Sequence, residues 1–146
     1  MFEKLLVPVD GSECANRAVD TAVEIAKCHG SAVLLLHVVR DLSLPKEILE
    51  MISTGEITAS RMQILQDSAD IILGKAREKF ERAGLGAVSS QCIMGDPAVE
   101  ILKYAEQNGA NLIVLGHQGL GPNGGLLGGV ARKLVNMARI SCLVVV

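Results

Sequence analysis

Five short apolar segments divide the chain at regular intervals. Residues 4–9 (KLLVPV), 32–39 (AVLLLHVV), 88–94 (VSSQCIM), 111–115 (NLIVL) and 142–146 (CLVVV) read as strands. In most of them apolar residues follow one another instead of alternating with polar ones, the mark of strands covered on both faces. Between strands the period becomes helical. Ser12 can cap a helix whose Ala15, Ala18, Val19, Ala22, Val23 and Ala26 share one face, with Gly30 to end it. Met62, Leu65, Ala69, Ile72, Ala76 and Phe80 form a second stripe that closes near Gly84. Asp96 followed by Pro97 is a cap and a first-turn proline, opening a third helix that carries Val99, Leu102 and Ala105. A fourth helix is expected over residues 130–139.

Strands and helices therefore alternate, β-α-β-α-β-α-β-α-β. With right-handed crossovers they give an α/β domain, a doubly wound parallel sheet of five strands with helices on both faces. Residues 41–60 (DLSLPKEILEMISTGEITAS) are the least regular stretch and predict a short helix or a flap. A length of 146 residues is one ordinary domain, and no internal repeat or low-complexity linker divides it.

Composition narrows the functions open to such a domain. Hydrophobic residues at 49% against 21% charged supply a sizeable core and exclude a disordered chain. Aromatics at 2%, with no Trp, leave an aliphatic core and no stacking platform for single-stranded nucleic acid. A net charge of −2 gives no general attraction to nucleic-acid backbones or anionic membranes. The opening MFEKLLVP has neither the basic region nor the apolar stretch of a signal peptide, and no apolar run approaches a membrane span. A cytoplasmic location is expected. Cys14, Cys28, Cys92 and Cys142 lie far apart, without C-x-x-C, and predict reduced, mostly buried thiols rather than a disulfide or a metal site.

In an open doubly wound sheet, ligands bind at the carboxyl ends of the strands where the strand order reverses. That rule nominates the loops after the first and fourth strands. The fourth strand runs into residues 116–130 (GHQGLGPNGGLLGGV), where seven of fifteen positions are glycine. Such a density costs chain entropy unless the backbone needs positive φ or close approach to something. Glycines leading into a helix N-terminus gather free N–H groups and the positive end of the dipole, which suits a phosphate. Charge agrees, because after Glu106 the chain has no carboxylate, only Arg132, Lys133 and Arg139. Residues 119–124 (GLGPNG) match G-x-G-x-x-G, but the dinucleotide fold also needs a βαβ unit and an acidic residue about twenty positions on. Only 22 residues remain, none acidic. A P-loop fails because Val130, not Lys, follows Gly129.

Single residues carry competing readings. Asp10 stands at the expected switch point, yet an Asp-Gly-Ser carboxylate can also bond its own backbone in a turn. His37, inside an apolar strand, reads as a satisfied core histidine. His117 reads equally as a phosphate neighbour or a solvated loop residue. Arg132 and Lys133 read as the solvated face of the last helix. No partner base, nucleophile or metal-ligand cluster defines catalysis.

Several segments together resemble the universal stress protein family: VPVDGS at 7–12, LLHV at 35–38, GDP at 95–97, ANLIVLG at 110–116 and ISCLVV at 140–145. The resemblance covers residues 1–146 as one universal stress protein domain. It implies a sheet of order 3-2-1-4-5, like that of the adenine nucleotide alpha hydrolases. The family's nucleotide-binding branch carries G-x2-G-x9-G-[ST] after the fourth strand. Gly116 and Gly119 fit the first half. Counting nine residues on reaches Gly129, followed by Val130 where a hydroxyl belongs. Matching the helix instead sets Gly128 at the last glycine and Gly129 at the hydroxyl position, with a loop one residue shorter. The second alignment is preferred because it keeps Val130, Ala138 and the final strand in register, and both lack the hydroxyl.

By resemblance, Asp10 would accept hydrogen bonds from the ribose hydroxyls or sit near a bridging Mg²⁺. Pro8, Val38 and Leu115 would line the adenine pocket, and Gly116, Gly119, Gly128, Gly129 and Val130 would cradle ribose and phosphates. The function implied is a regulatory protein binding ATP or AMP, with at most slow hydrolysis and a protein partner of unknown identity. The alternatives are a dimeric interaction module that has lost the nucleotide, and a weak ATPase. A homodimer through the C-terminal strand is expected, since residues 142–146 form an uncharged apolar edge.

Overall fold

The computed structural model describes residues 1–40, 58–119 and 126–146. The expectations for residues 41–57, and for the part of the glycine loop at 120–125, fall outside the described residues. Ser12 starts the first helix as expected, its side chain accepting from the Ala15 N–H at 3.2 Å. Gly30 ends that helix at φ 64°, the left-handed conformation that glycine adopts without a Cβ penalty. Asp96 caps the third helix through the Val99 N–H, with Pro97 at its first position.

The elements in chain order are β1 (Lys4–Pro8), α1 (Glu13–His29), β2 (Ala32–Arg40), α2 (Thr58–Arg82), β3 (Val88–Gly95), α3 (Pro97–Gln107), β4 (Leu112–Gly116), α4 (Gly129–Met137) and β5 (Ser141–Val145). All strand pairs are parallel, in the order β3-β2-β1-β4-β5. Strand order reverses between β1 and β4, which pair side by side, so the crevice beyond their carboxyl ends is the switch point.

Successive residues of the inner strands feed two cores. Leu5, Val7, Val33 and Leu35 pack under α1 and α2 with Ala18, Ala22 and Phe80. Leu6, Leu34, Leu36 and Ile113 pack under α3 and α4 with Ile101 and Leu134. This two-sided demand is why β1, β2 and β4 are continuously apolar. The edge strands are less covered: Ser89, Ser90 and Gln91 of β3 are exposed, and no residue of β5 is fully buried. Among the described residues no helix is long and apolar enough to cross a membrane.

Two stripes differ from expectation. In α2 the buried residues are Ala69, Leu73, Ala76 and Phe80, while Leu65 is 37% exposed. In α3 they are Ala98, Ile101, Leu102 and Ala105, and Val99 is 40% exposed. With Pro97 fixed as the first helical residue, 98, 101, 102 and 105 form one i, i+3, i+4, i+7 face, and Val99 turns off it toward solvent. The cysteines also differ. All four are free thiols, but Cys28 is exposed and the other three are half-buried. Cys92 and Cys142 lie on the edge strands, where cover is partial. That cover still pushes both thiols above their ordinary pKa, with Asp70 adding to the effect at Cys92.

Candidate functional site

One cavity of about 560 Å³ opens at the carboxyl ends of β1, β2 and β4. That volume lies within the range of small-molecule sites. All nine residues nominated from the sequence line it: Pro8, Asp10, Val38, Leu115, Gly116, Gly119, Gly128, Gly129 and Val130. Leu65 and Ser68 of α2 border it on one side of the sheet, and Pro97 and Ile101 of α3 on the other.

Asp10 lies two residues beyond the end of β1. Its Oδ1 accepts the Ser12 N–H at 2.9 Å, so the turn anticipated for Asp-Gly-Ser does form, with Gly11 at φ 83°. The second carboxylate oxygen faces the glycine loop. A Cβ on Gly119 would lie 2.7 Å from Asp10 Oδ2. The turn bond and a ligand role are therefore compatible, since each uses a different oxygen.

The loop after β4 is pinned at both ends. His117 donates its N–H to the Val145 carbonyl at 2.7 Å, and its own carbonyl accepts the Gly128 N–H at 2.9 Å. Gln118 Nε2 donates to the Leu126 carbonyl at 2.7 Å. Gly116 meets the first turn of α1, where a Cβ would lie 2.7 Å from the Cys14 carbonyl carbon and 2.8 Å from the Ala15 nitrogen. Neither Gly116 nor Gly119 has positive φ. What these two positions require is close approach.

The pinned loop delivers the N-terminus of α4 to the cavity. Its first helical bond is Arg132 N–H to the Gly128 carbonyl at 2.9 Å, so the N–H groups of Gly129, Val130 and Ala131 come before any intrahelical partner. Gly128 supplies no side-chain cap and the first turn has no acidic residue. The helix dipole therefore faces the cavity without a neutralising carboxylate of its own. Among the described lining residues Asp10 is the one carboxylate, beside Arg40, His37 and His117.

Lys133 is committed elsewhere. Its Nζ lies 3.1 Å from Asp96 Oδ2, linking the first turns of α3 and α4. The Val99 N–H and then Lys133 hold the Asp96 carboxyl below its ordinary pKa, and Arg40 adds to the effect. Arg132 remains exposed.

Sequence reasoning missed several lining residues. His37 is half-buried, with Nδ1 2.7 Å from the Val9 carbonyl, so it is both bonded within the sheet and open to the cavity. Arg40, a cation closing an apolar strand, was the signal available at the end of β2. Leu65, Ser68, Pro97 and Ile101 come from helices that only the packed fold brings to the crevice.

A doubly wound parallel sheet with a glycine-rich crevice at its switch point defines a class of α/β domains. Within that class the chain belongs to the universal stress protein family, whose profile matches residues 1–146. Universal stress protein YxiE of Bacillus subtilis is 32% identical over 149 residues, covering 99% of each chain. Among solved structures, that of hypothetical protein MJ0577, a name borne by a universal stress protein of Methanocaldococcus jannaschii, superposes with a TM-score of 0.82 at 27% identity. The match covers 99% of this chain and 96% of that one. Two more distant structures share the fold at a TM-score of 0.71. One is a universal stress protein in complex with cAMP, 23% identical, covering 99% of this chain and 96% of that one. The other is the Archaeoglobus fulgidus protein in complex with dAMP, 20% identical, covering 100% of each.

Proposed function

We propose that the crevice holds an adenine nucleotide, ATP or AMP, and that its occupancy regulates the protein's contacts with a partner rather than driving turnover. One observation carries the reading: three strand ends and the uncapped N-terminus of α4 converge on a single cavity, with backbone donors on one side and the Asp10 carboxylate on the other. The fold accommodates cAMP and dAMP in two other proteins. The base would lie against Val38, Pro8 and Leu115, the ribose over Asp10, and the phosphates along Gly116, Gly119, Gly128, Gly129 and Val130. Mg²⁺ would arrive on the phosphates, with Asp10 the one carboxylate among the described lining residues. Among the described residues Asp10 is the one lining carboxylate, and Ser12 engages one of its oxygens; in this reading hydrolysis is at most slow. Asp10→Ala is expected to weaken binding of a fluorescent ATP analogue about tenfold or more. Equal affinity in the variant and the wild type would remove Asp10 from the site.

A second reading is favoured by one feature. With Gly129 at the hydroxyl position and no side-chain cap, α4 offers phosphate only backbone donors. In that reading the protein is a dimeric interaction module without nucleotide, acting through β5, where Leu143 is 37% exposed. Either reading is compatible with a homodimer.

A further inference from the structure

His37 stands on the strand next to Asp10 and borders the same cavity. Its Nδ1 lies 2.7 Å from the carbonyl oxygen of Val9. A carbonyl only accepts, so Nδ1 carries the proton and donates it. In the tautomer with its proton on Nδ1, Nε2 is the acceptor. Among the described residues no side-chain nitrogen or oxygen is both sealed from solvent and unpartnered, and His37 makes no second hydrogen bond with any of them. The His37 ring borders the cavity.

Asp10 offers the crevice a second acceptor. Its Oδ1 is taken by the Ser12 N–H, which leaves Oδ2. β2 and the turn after its neighbour β1 thus offer two acceptors, and a ligand that satisfies both must bring two neighbouring donors. Within an adenine nucleotide the phosphates bring none, and the base carries its donors on the single exocyclic amino nitrogen. The vicinal 2′- and 3′-hydroxyls of ribose are two donors on adjacent carbons.

We propose that His37 is a specificity-determining residue that reads the ribose: its Nε2 accepts from one ribose hydroxyl while Asp10 accepts from the other. This rests on the nucleotide reading of the crevice. The site then separates ribonucleotides from nucleotides that lack these hydroxyls, because the absent donor leaves a partly buried acceptor unpaired.

The test is a titration of wild type and His37→Leu with ATP and with 2′,3′-dideoxy-ATP. The wild type is expected to prefer ATP. His37→Leu is expected to lose about tenfold in ATP affinity and little in dideoxy-ATP affinity, so the preference shrinks about tenfold. An unchanged preference in a variant that still binds ATP overturns the role of His37 and leaves the nucleotide reading standing. A wild type that binds neither nucleotide overturns both. The ¹⁵N resonances of the His37 ring in labelled wild type provide a readout independent of the variant's folding. The Nε2 signal should move on adding ATP and stay nearly fixed on adding saturating dideoxy-ATP, and an equal response to both contradicts the assignment.

Discussion

Gly116 and Gly119 stand three residues apart, and each allows a close approach by a different partner. A Cβ on Gly116 meets backbone atoms of α1 that cannot step aside. Gly116→Ala is therefore expected to cost about 1–3 kcal/mol of stability, the usual range for overpacking, as read by urea or thermal unfolding. A Cβ on Gly119 meets only the free oxygen of Asp10, the end of a side chain that can turn. Gly119→Ala should leave the unfolding midpoint nearly unchanged and weaken ATP binding, because the carboxylate is displaced from the ribose position. Loss of stability without loss of affinity in that variant would contradict the placement of Asp10. A third residue sets a pH dependence. Asp96 has its carboxyl held below the ordinary value of 3.8 by the Val99 N–H and by Lys133. A depressed folded-state pKa stabilises above the unfolded value and loses that contribution as pH falls through the folded one. The stability difference between wild type and Asp96→Asn should hold from neutrality down to about pH 4 and disappear in more acid solution, which a pH series of thermal unfolding would show.

At the scale of elements, the packing of α2 against α1 and the sheet depends on one aromatic residue. Phe80 is fully buried in the core beneath both helices. Phe80→Ala should destabilise by about 3–5 kcal/mol, the range for removing a buried ring, measured by chemical denaturation. The strands were legible because both faces are covered: continuous runs such as LLV in β1 and VLLL in β2 have no alternative partner in water. The caps were legible because Ser12, Gly30 and Asp96-Pro97 satisfy local backbone demands that need no tertiary partner. The faces of α2 and α3 were less so. Leu65 and Val99 fit a helical spacing, but which side of a helix turns inward depends on how it is laid on the sheet. That the nine nominated residues line one cavity was legible because the switch-point rule and the family motif act on the same strand ends. His37, Ser68, Pro97 and Ile101 were not, because they reach the cavity only through neighbouring elements that fold beside it.

For the molecule as a whole, the sheet has two edges of unequal character. β3 shows Ser89, Ser90 and Gln91 to solvent, while β5 is uncharged and only partly covered. An apolar edge of this kind favours pairing with a second copy across a two-fold axis. Light scattering at micromolar concentration should give the mass of a dimer, and a monomer would count against pairing through β5. Asp10, the pinned glycine loop and the uncapped helix meet in the crevice at the carboxyl ends of the strands. Isothermal titration of nucleotide-free protein with ATP, with and without Mg²⁺, tests nucleotide binding there most directly. Saturable binding at one ATP per chain is the result the account predicts. Absence of binding at any accessible concentration, repeated by equilibrium dialysis to exclude a thermally silent event, would contradict it and leave the dimer surface as the functional part of the protein.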